Sequence, residues 1–178
     1  SLNRDLLQDL LTDVDLSDLL RAEAVEAVRA RLQHITPETQ ARSAEELALL
    51  FQRLGDLTSA EIAARALVDP SGWIGQLAGT NRIVEMVIPT AHGPQERWIH
   101  AEYEAEYARA FGSSNAPHSA SAESGEEGPS DDAGRAILDR YLPYVGPTSR
   151  EAILARYGFD GAWLDAELAR RISLRDLV

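Results

Sequence analysis

The chain has 178 residues, of which 44% are hydrophobic and 26% charged, proportions that exclude a disordered or fibrous protein. No apolar run approaches the roughly 20 residues of a membrane span, and no signal peptide opens the chain. Cysteine and lysine are both absent. This excludes disulfides, thiolate zinc sites, Schiff-base chemistry and a Walker-type phosphate lysine. A cysteine-free chain suits a reducing compartment, so the predicted localisation is cytoplasmic.

The net charge of −12 argues against a dedicated nucleic-acid binder, because affinity for nucleic acid comes from neutralising phosphates. The excess of acidic over basic residues is smallest in residues 131–178, which contain 8 acids and 7 arginines. Met86 is the only methionine. We therefore expect the sequence to be a piece of a longer chain.

Residues 1–42 are predicted to be a helical N-terminal segment. Leu6, Leu7, Leu10 and Leu11 form a one-sided apolar stripe. Asp15 or Ser17 is expected to cap a second helix, which ends before Pro37.

Residues 43–111 are predicted to form a winged helix. Ser43 with Glu46 and Thr58 with Glu61 have the spacing of helix capping boxes. A third short helix follows from Ser71 to Gly79. Two strand-like runs and a closing helix complete the pattern, at 82–88, 97–99 and 101–111.

Residues 112–130 lack large apolar side chains and are predicted to be a disordered acidic linker. Residues 131–178 then begin a second three-helix unit. Thr148 with Glu151 predicts another capping box, and residues 175–178 are expected to open a wing strand. The predicted fold is mainly α with a small β-hairpin: tandem winged-helix/helix-turn-helix modules, the second truncated.

The two units repeat each other with an offset of 90 or 91 residues. Thr58 corresponds to Thr148, and Trp73 corresponds to Trp163. The matched positions also include Glu61 with Glu151, Ile62 with Ile153, Arg65 with Arg156 and Leu77 with Leu168. Capping and core packing explain each match.

Three segments resemble the region beyond the helicase core in bacterial large helicase-related (Lhr) proteins. Residues 48–66 resemble part of that region. Residues 96–103 are similar to the family's "RWIAAED" segment, and residues 146–158 to its "HGPFT…AARYG" segment. The resemblance implies a superfamily-2 (DEAD/DEAH-box) DNA helicase or single-stranded DNA translocase linked to DNA repair, with ATP and Mg²⁺ as cofactors of the parent chain. No ATPase motif occurs in this sequence, so we expect no cofactor and no catalytic residue here.

The leading interpretation is an accessory segment that positions nucleic acid or braces the motor, with the rest of the parent chain as its partner. The alternative is a protein-interaction or oligomerisation module without nucleic-acid contact. An independent transcriptional regulator is a third hypothesis. DNA glycosylase activity in the parent is a fourth, to which no residue can be assigned. The four histidines lack metal-ligand spacing, so no metal site is predicted.

Candidate nucleic-acid contacts follow from the expected wing and from the basic residues of the second unit. A core or solvated-surface role is the competing explanation for each of them. If the arginines converge on one face, nucleic-acid contact is favoured; if they disperse into ion pairs with acids, a scaffold is favoured. The candidates are Arg82, Arg97, Trp98, Arg150, Arg170, Arg171 and Arg175.

Overall fold

The computed structural model of the chain describes residues 2–112 and 131–176. Apart from Gly112, the predicted linker lies outside these ranges. No helix in the described ranges combines the length and hydropathy that crossing a membrane requires. The elements in chain order are α1 (Leu2–Leu32), α2 (Ala44–Leu54), α3 (Ser59–Ala64), α4 (Ser71–Gly79), β1 (Ile83–Ile88), β2 (Gln95–His100), a 3₁₀ turn (Ala101–Tyr103), α5 (Glu104–Phe111), α6 (Asp131–Val145), α7 (Arg150–Arg156) and α8 (Gly161–Asp176).

Helix α1 is a single helix, so the prediction of a new start at Asp15 or Ser17 is wrong. No glycine or proline interrupts residues 2–32, and the good helix formers around those positions continue the helix. His34 then adopts a left-handed conformation with φ of 56°, and the helix ends before Pro37. From residue 16 to its end, every residue of α1 except Ala30 is exposed.

Helices α2, α3 and α4 form the predicted helix-turn-helix core. The Ser43 side chain accepts a hydrogen bond from the Glu46 amide at the start of α2. Thr58 and Glu61 form the complete reciprocal capping box of α3. Leu47, Phe51, Ile62 and Leu77 are buried where the three helices meet, so local signals and apolar spacing both confirm this part of the prediction.

The wing is an antiparallel hairpin in which Ile83 lies opposite His100 and Ile88 lies opposite Gln95. Leu57 extends the hairpin through a two-way backbone bridge to Trp98, with distances of 3.0 and 2.8 Å. On β2, Arg97 and Ile99 are buried on one face. The mainly α fold with a small β-hairpin is therefore confirmed as a winged helix.

Two details of the second three-helix unit differ from the prediction. Ser149, and not Thr148, caps α7, because the helix begins one residue later and the Ser149 side chain accepts from the Ala152 amide. Residues 162–176 contain neither glycine nor proline, and α8 continues to Asp176. Arg175 is therefore helical, and its expected place in a wing strand is wrong.

The two parts of the chain share one hydrophobic core. Ile88 and Ile99 of the wing and Tyr107 of α5 cluster with Ile137 of α6 and Leu164 of α8. The backbone of the wing is also bonded to the second unit. The Gly158 amide donates to the Pro89 carbonyl at 2.7 Å, and the Ala91 amide donates to the Leu154 carbonyl at 3.3 Å. The second unit therefore covers one face of the wing.

Candidate functional site

A buried carboxylate, Asp56, lies at the contact between residues 2–112 and residues 131–176. Its position follows from the local sequence. Helix α2 ends at Gly55, whose φ of 84° is left-handed and whose amide caps the Phe51 carbonyl. A side chain at Gly55 would also begin only 3.0 Å from the Tyr107 hydroxyl. Asp56 follows directly and is held between this helix end and the Leu57 bridge to Trp98.

Four donors from both parts of the chain converge on the Asp56 carboxylate. One oxygen accepts from the Tyr107 hydroxyl at 2.7 Å and from the Tyr157 hydroxyl at 2.6 Å. The other accepts from Arg97 at 2.8 Å and from Arg156 at 3.1 Å. Asp56, Arg97, Tyr107, Arg156 and Tyr157 are called the Asp56 cluster below.

Burial and charge act in opposite directions on the Asp56 cluster. Burial raises the pKa of Asp56, but the charges of Arg156 and Arg97 and the two tyrosine hydroxyl groups outweigh it and hold that pKa below its ordinary value. Burial and the Asp56 charge together raise the pKa of Tyr107 and of Tyr157 well above the usual range. At neutral pH the cluster therefore consists of an ionised carboxylate, two guanidinium ions and two neutral phenols.

This arrangement binds the two parts of the chain together and leaves no acceptor site on the Asp56 carboxylate open to a substrate. A carboxylate has about four lone-pair sites, and the four donors fill them. Asp56 is fully buried, so neither substrate nor water reaches it from outside. The cluster is an internal contact and not an acid-base site.

Glu61 extends the contact from the Asp56 cluster to helix α3. Arg156 donates to its two carboxylate oxygens at 2.7 and 3.1 Å. The second of these oxygens also accepts from the Thr58 amide. One carboxylate thus caps α3 and binds α7. Burial raises the pKa of Glu61, but Arg156 and the cap outweigh it, and the net effect is a lowered pKa.

Three of the candidate nucleic-acid contacts are paired with carboxylates at separate places. Arg97 is buried against Asp56, so its guanidinium is unavailable to phosphate and its prediction as an exposed wing contact is wrong. Arg82 donates to Glu45 at 2.5 Å. Arg150 donates to Asp165 at 2.5 Å.

Arg170 and Arg171 on α8 converge on Glu167, whose side chain is 2% exposed. Arg135 of α6 binds the same carboxylate at 2.9 Å, and Arg171 also pairs with Asp139 at 2.7 Å. The hydrogen bond from Arg170 leads in lowering the pKa of Glu167 to about 2, against the opposing effect of burial. These residues, called the Glu167 cluster, tie α6 to α8.

Arg175 and Trp98 are the remaining candidates. Arg175 is exposed and lines a groove between α6 and α8, and it forms no ion pair with any residue of the described ranges. Trp98 is half-buried and packs against the core of the winged helix. The structure therefore does not bring the seven candidates together on one face.

Most residues of the buried charge contacts were absent from the candidates predicted from the sequence, and Arg97, which was a candidate, was expected to be exposed. Asp56, Arg65 and Arg156 carried no motif beyond the correspondence of Arg65 with Arg156 in the repeat. A signal did exist for Arg97, because it alternates with Ile99 on a strand and must share its buried face. Its acidic partner lies 41 residues away in sequence, which no local pattern reveals.

The helix-turn-helix, the hairpin and the buried contact behind it define a winged-helix domain. Residues 18–126 match the family model described as "Large helicase-related protein, winged-helix domain". Since the match covers more than half of the chain, the chain belongs to the family of large helicase-related proteins.

One curated relative from Mycolicibacterium smegmatis is named "Lhr helicase/ probable uracil glycosylase". It is 39% identical over 103 residues, which are 57% of this chain and 7% of that protein. The chain therefore spans a small part of its relative's length.

Proposed function

We propose that this chain is a non-catalytic bracing segment of an ATP-dependent helicase of the large helicase-related family. The Asp56 cluster is the observation that carries this proposal. It joins the winged helix to the following three-helix unit through a buried carboxylate with four donors. Such a contact suits a segment that holds the winged helix and the three-helix unit in a fixed relative position and resists bending between them.

The surface by which winged helices bind DNA has little uncompensated positive charge in this chain. This favours the bracing role over nucleic-acid contact. Recognition helices contact bases and phosphates in the major groove, and α4, the equivalent helix, carries no basic residue. The wing is held by the second unit at Pro89 and Ala91. Arg82, Arg150, Arg170 and Arg171 are compensated by acids.

We assign ATP, Mg²⁺ and strand separation to the parent chain, whose remaining segments are the proposed partner of this one. The name of the relative includes a probable uracil glycosylase, and we attribute no residue of this chain to that activity. Localisation in the cytoplasm remains an expectation from composition.

Positioning of nucleic acid is the second candidate function. Arg175 favours it, because this exposed cation lines a groove between α6 and α8 and has no acidic partner among the described residues. The net charge of −12 favours the alternative, a protein-interaction or oligomerisation module without nucleic-acid contact.

Fluorescence anisotropy with labelled single-stranded and duplex DNA, at about 50 and 200 mM salt, separates these functions. The bracing role predicts no saturable binding at either salt concentration. Binding that weakens steeply with salt and is reduced in Arg175→Gln would overturn it in favour of nucleic-acid positioning. Arg53→Gln, at another exposed arginine, is the matched control.

A further inference from the structure

A small cavity lies beside the Asp56 cluster, between the end of α1, helix α3 and the α6–α7 pair. Its volume is about 190 Å³. Three arginines, Arg29, Arg65 and Arg156, line it, whereas Glu61 is the only acidic residue among the described lining residues. The remaining polar lining comes from Gln33, Tyr141 and Tyr144.

Arg65 is the residue that gives this cavity its chemistry. It is 8% exposed. One terminal nitrogen donates to the Glu61 main-chain carbonyl at 2.9 Å, and the other donates to the Gln33 side-chain oxygen at 2.5 Å. Both acceptors are neutral, and the Arg65 Nε has no hydrogen-bond partner. Arg65 forms no ion pair within the described part of the chain, although buried charges are ordinarily paired.

The charges around the cavity do not balance. The guanidinium groups of Arg65, Arg97 and Arg156 face the carboxylates of Asp56 and Glu61. Arg97 pairs with Asp56, and Arg156 pairs with both Asp56 and Glu61. Arg65 therefore has no direct ion pair with either carboxylate, although it lies close enough to feel the charge of Glu61. Arg156 also keeps an unpartnered Nε. Burial lowers the pKa of Arg65, Glu61 opposes this effect, and Arg156 adds to it, so the two cations disfavour each other.

We propose that the cavity binds an oxyanion with the size and charge of a phosphate group, held by Arg65 and Arg156, with Arg29 at its mouth. Planar guanidinium groups bind phosphate oxygens through paired, charge-assisted hydrogen bonds. The volume of about 190 Å³ holds about six waters at about 30 Å³ each, which is enough for a tetrahedral ion and residual water. Inorganic phosphate, a nucleotide phosphate and a nucleic-acid phosphate share this chemistry.

Thermal unfolding in sodium phosphate, compared with sodium chloride at equal ionic strength and pH, tests the site. We expect phosphate to raise Tm beyond the effect of chloride. The Arg65→Gln variant should bind phosphate about tenfold more weakly, as expected for the loss of one charge-assisted contact. Arg53→Gln, at an exposed arginine on α2, should keep the wild-type response.

Arg29→Gln provides a second variant, because Arg29 lies at a half-exposed position and its replacement leaves the buried charges in place. Phosphate binding to it is followed by ³¹P NMR line broadening and should be several-fold weaker than to the wild type. Equal effects of phosphate and chloride, or a phosphate response unchanged in both Arg65→Gln and Arg29→Gln, would overturn the proposal and leave a water-filled cavity.

Competition identifies the source of the oxyanion once phosphate binding is established. A 5′-phosphorylated single-stranded oligonucleotide that displaces phosphate, when its 5′-hydroxyl counterpart does not, supports a terminal nucleic-acid phosphate. Displacement by both supports a backbone phosphate. Displacement by neither supports free phosphate or a small nucleotide.

Discussion

Arg156 on α7 donates to the Asp56 carboxylate at 3.1 Å and to the Asp56 main-chain carbonyl at 2.7 Å, across 100 residues of sequence. A single guanidinium thus holds both the side chain and the backbone of the α2–α3 connection. Because Arg156 also binds Glu61, the position of α7 is coupled to the start of α3. Displacing α7 would leave a fully buried carboxylate without one of its cations.

Replacing Asp56 by asparagine should destabilise the whole chain. The substitution keeps the shape of the side chain but removes the carboxylate charge that Arg97 and Arg156 share. Arg156 then keeps Glu61, whereas Arg97 keeps no ion pair within the described residues. Breaking a buried pair in this way costs about 3–5 kcal/mol, and we expect that loss in the free energy of unfolding measured with urea. Asp18→Asn, at an exposed position on α1, is the matched control and should change it by less than about 0.5 kcal/mol. A loss below about 1 kcal/mol for Asp56→Asn would contradict the role assigned to the cluster.

Two arginine ion pairs should differ in energetic weight because their burial differs. Arg97 and Asp56 are 1% and 0% exposed, whereas Arg82 and Glu45 are 39% and 69% exposed. Arg97→Gln should lose about 3–5 kcal/mol. Arg82→Gln should lose far less, because solvent screens an exposed pair. Similar losses of unfolding free energy for the two variants in chemical denaturation would contradict the burial of the Arg97–Asp56 pair.

Gly158 permits the close approach of the second unit to the wing. A Cβ at this position would lie 3.0 Å from the Pro89 Cβ and 3.1 Å from the Pro89 carbonyl oxygen. Gly158→Ala should therefore cost about 1–3 kcal/mol through overpacking, measured by thermal unfolding. Gly75→Ala is the matched control, since nothing beyond its chain neighbours and the backbone of α4 lies within 4 Å of its Cβ position. That substitution should stabilise the helix by about 0.5–1 kcal/mol. If Gly158→Ala stabilised the chain and Gly75→Ala destabilised it, the close contact between the second unit and the wing would be contradicted.

The Glu167 cluster should make stability dependent on pH in acid. The pKa of Glu167 is about 2 in the folded chain and about 4.3 when unfolded. A carboxylate with a depressed folded pKa contributes fully above its unfolded pKa, and the contribution is lost as pH falls toward the folded value. The difference in unfolding free energy between the wild type and Glu167→Gln should therefore shrink between about pH 5 and pH 2. Glu96→Gln, at an exposed position on β2, should show no such change, and a constant difference for Glu167→Gln would refute the assignment.

Local elements could be predicted from the sequence because their causes are local. Ser43, Thr58 and Gly55 act within one turn of their own helices, and the alternation of β1 lies within six residues. The predicted helix boundaries were wrong where two local signals of similar strength competed. Asp15 and Ser17 resemble caps, yet the neighbouring helix formers continue α1. Thr148 and Ser149 can both cap α7, and the backbone selects Ser149.

The internal charge contacts could not be predicted, because each depends on the arrangement of distant elements. Arg97 resembles an exposed wing cation in sequence, and only Asp56 makes its burial favourable. In the sequence, the adjacent Arg170 and Arg171 are typical of an exposed basic pair. In the structure, they form one cluster with Arg135 and the carboxylate of Glu167. Local sequence therefore draws attention to the arginines, whereas their burial and most of their acidic partners depend on contacts between distant elements.

Native-state amide exchange, followed residue by residue by NMR, tests most directly whether the winged helix and the second unit form one brace. The Trp98 amide is bonded to Leu57, and the Tyr157 amide is bonded to Ile153. The bracing account predicts that both exchange through an opening of the same free energy, and that Asp56→Asn lowers both values equally. A Tyr157 amide that exchanges through a separate opening of lower free energy, unaffected by Asp56→Asn, would contradict it.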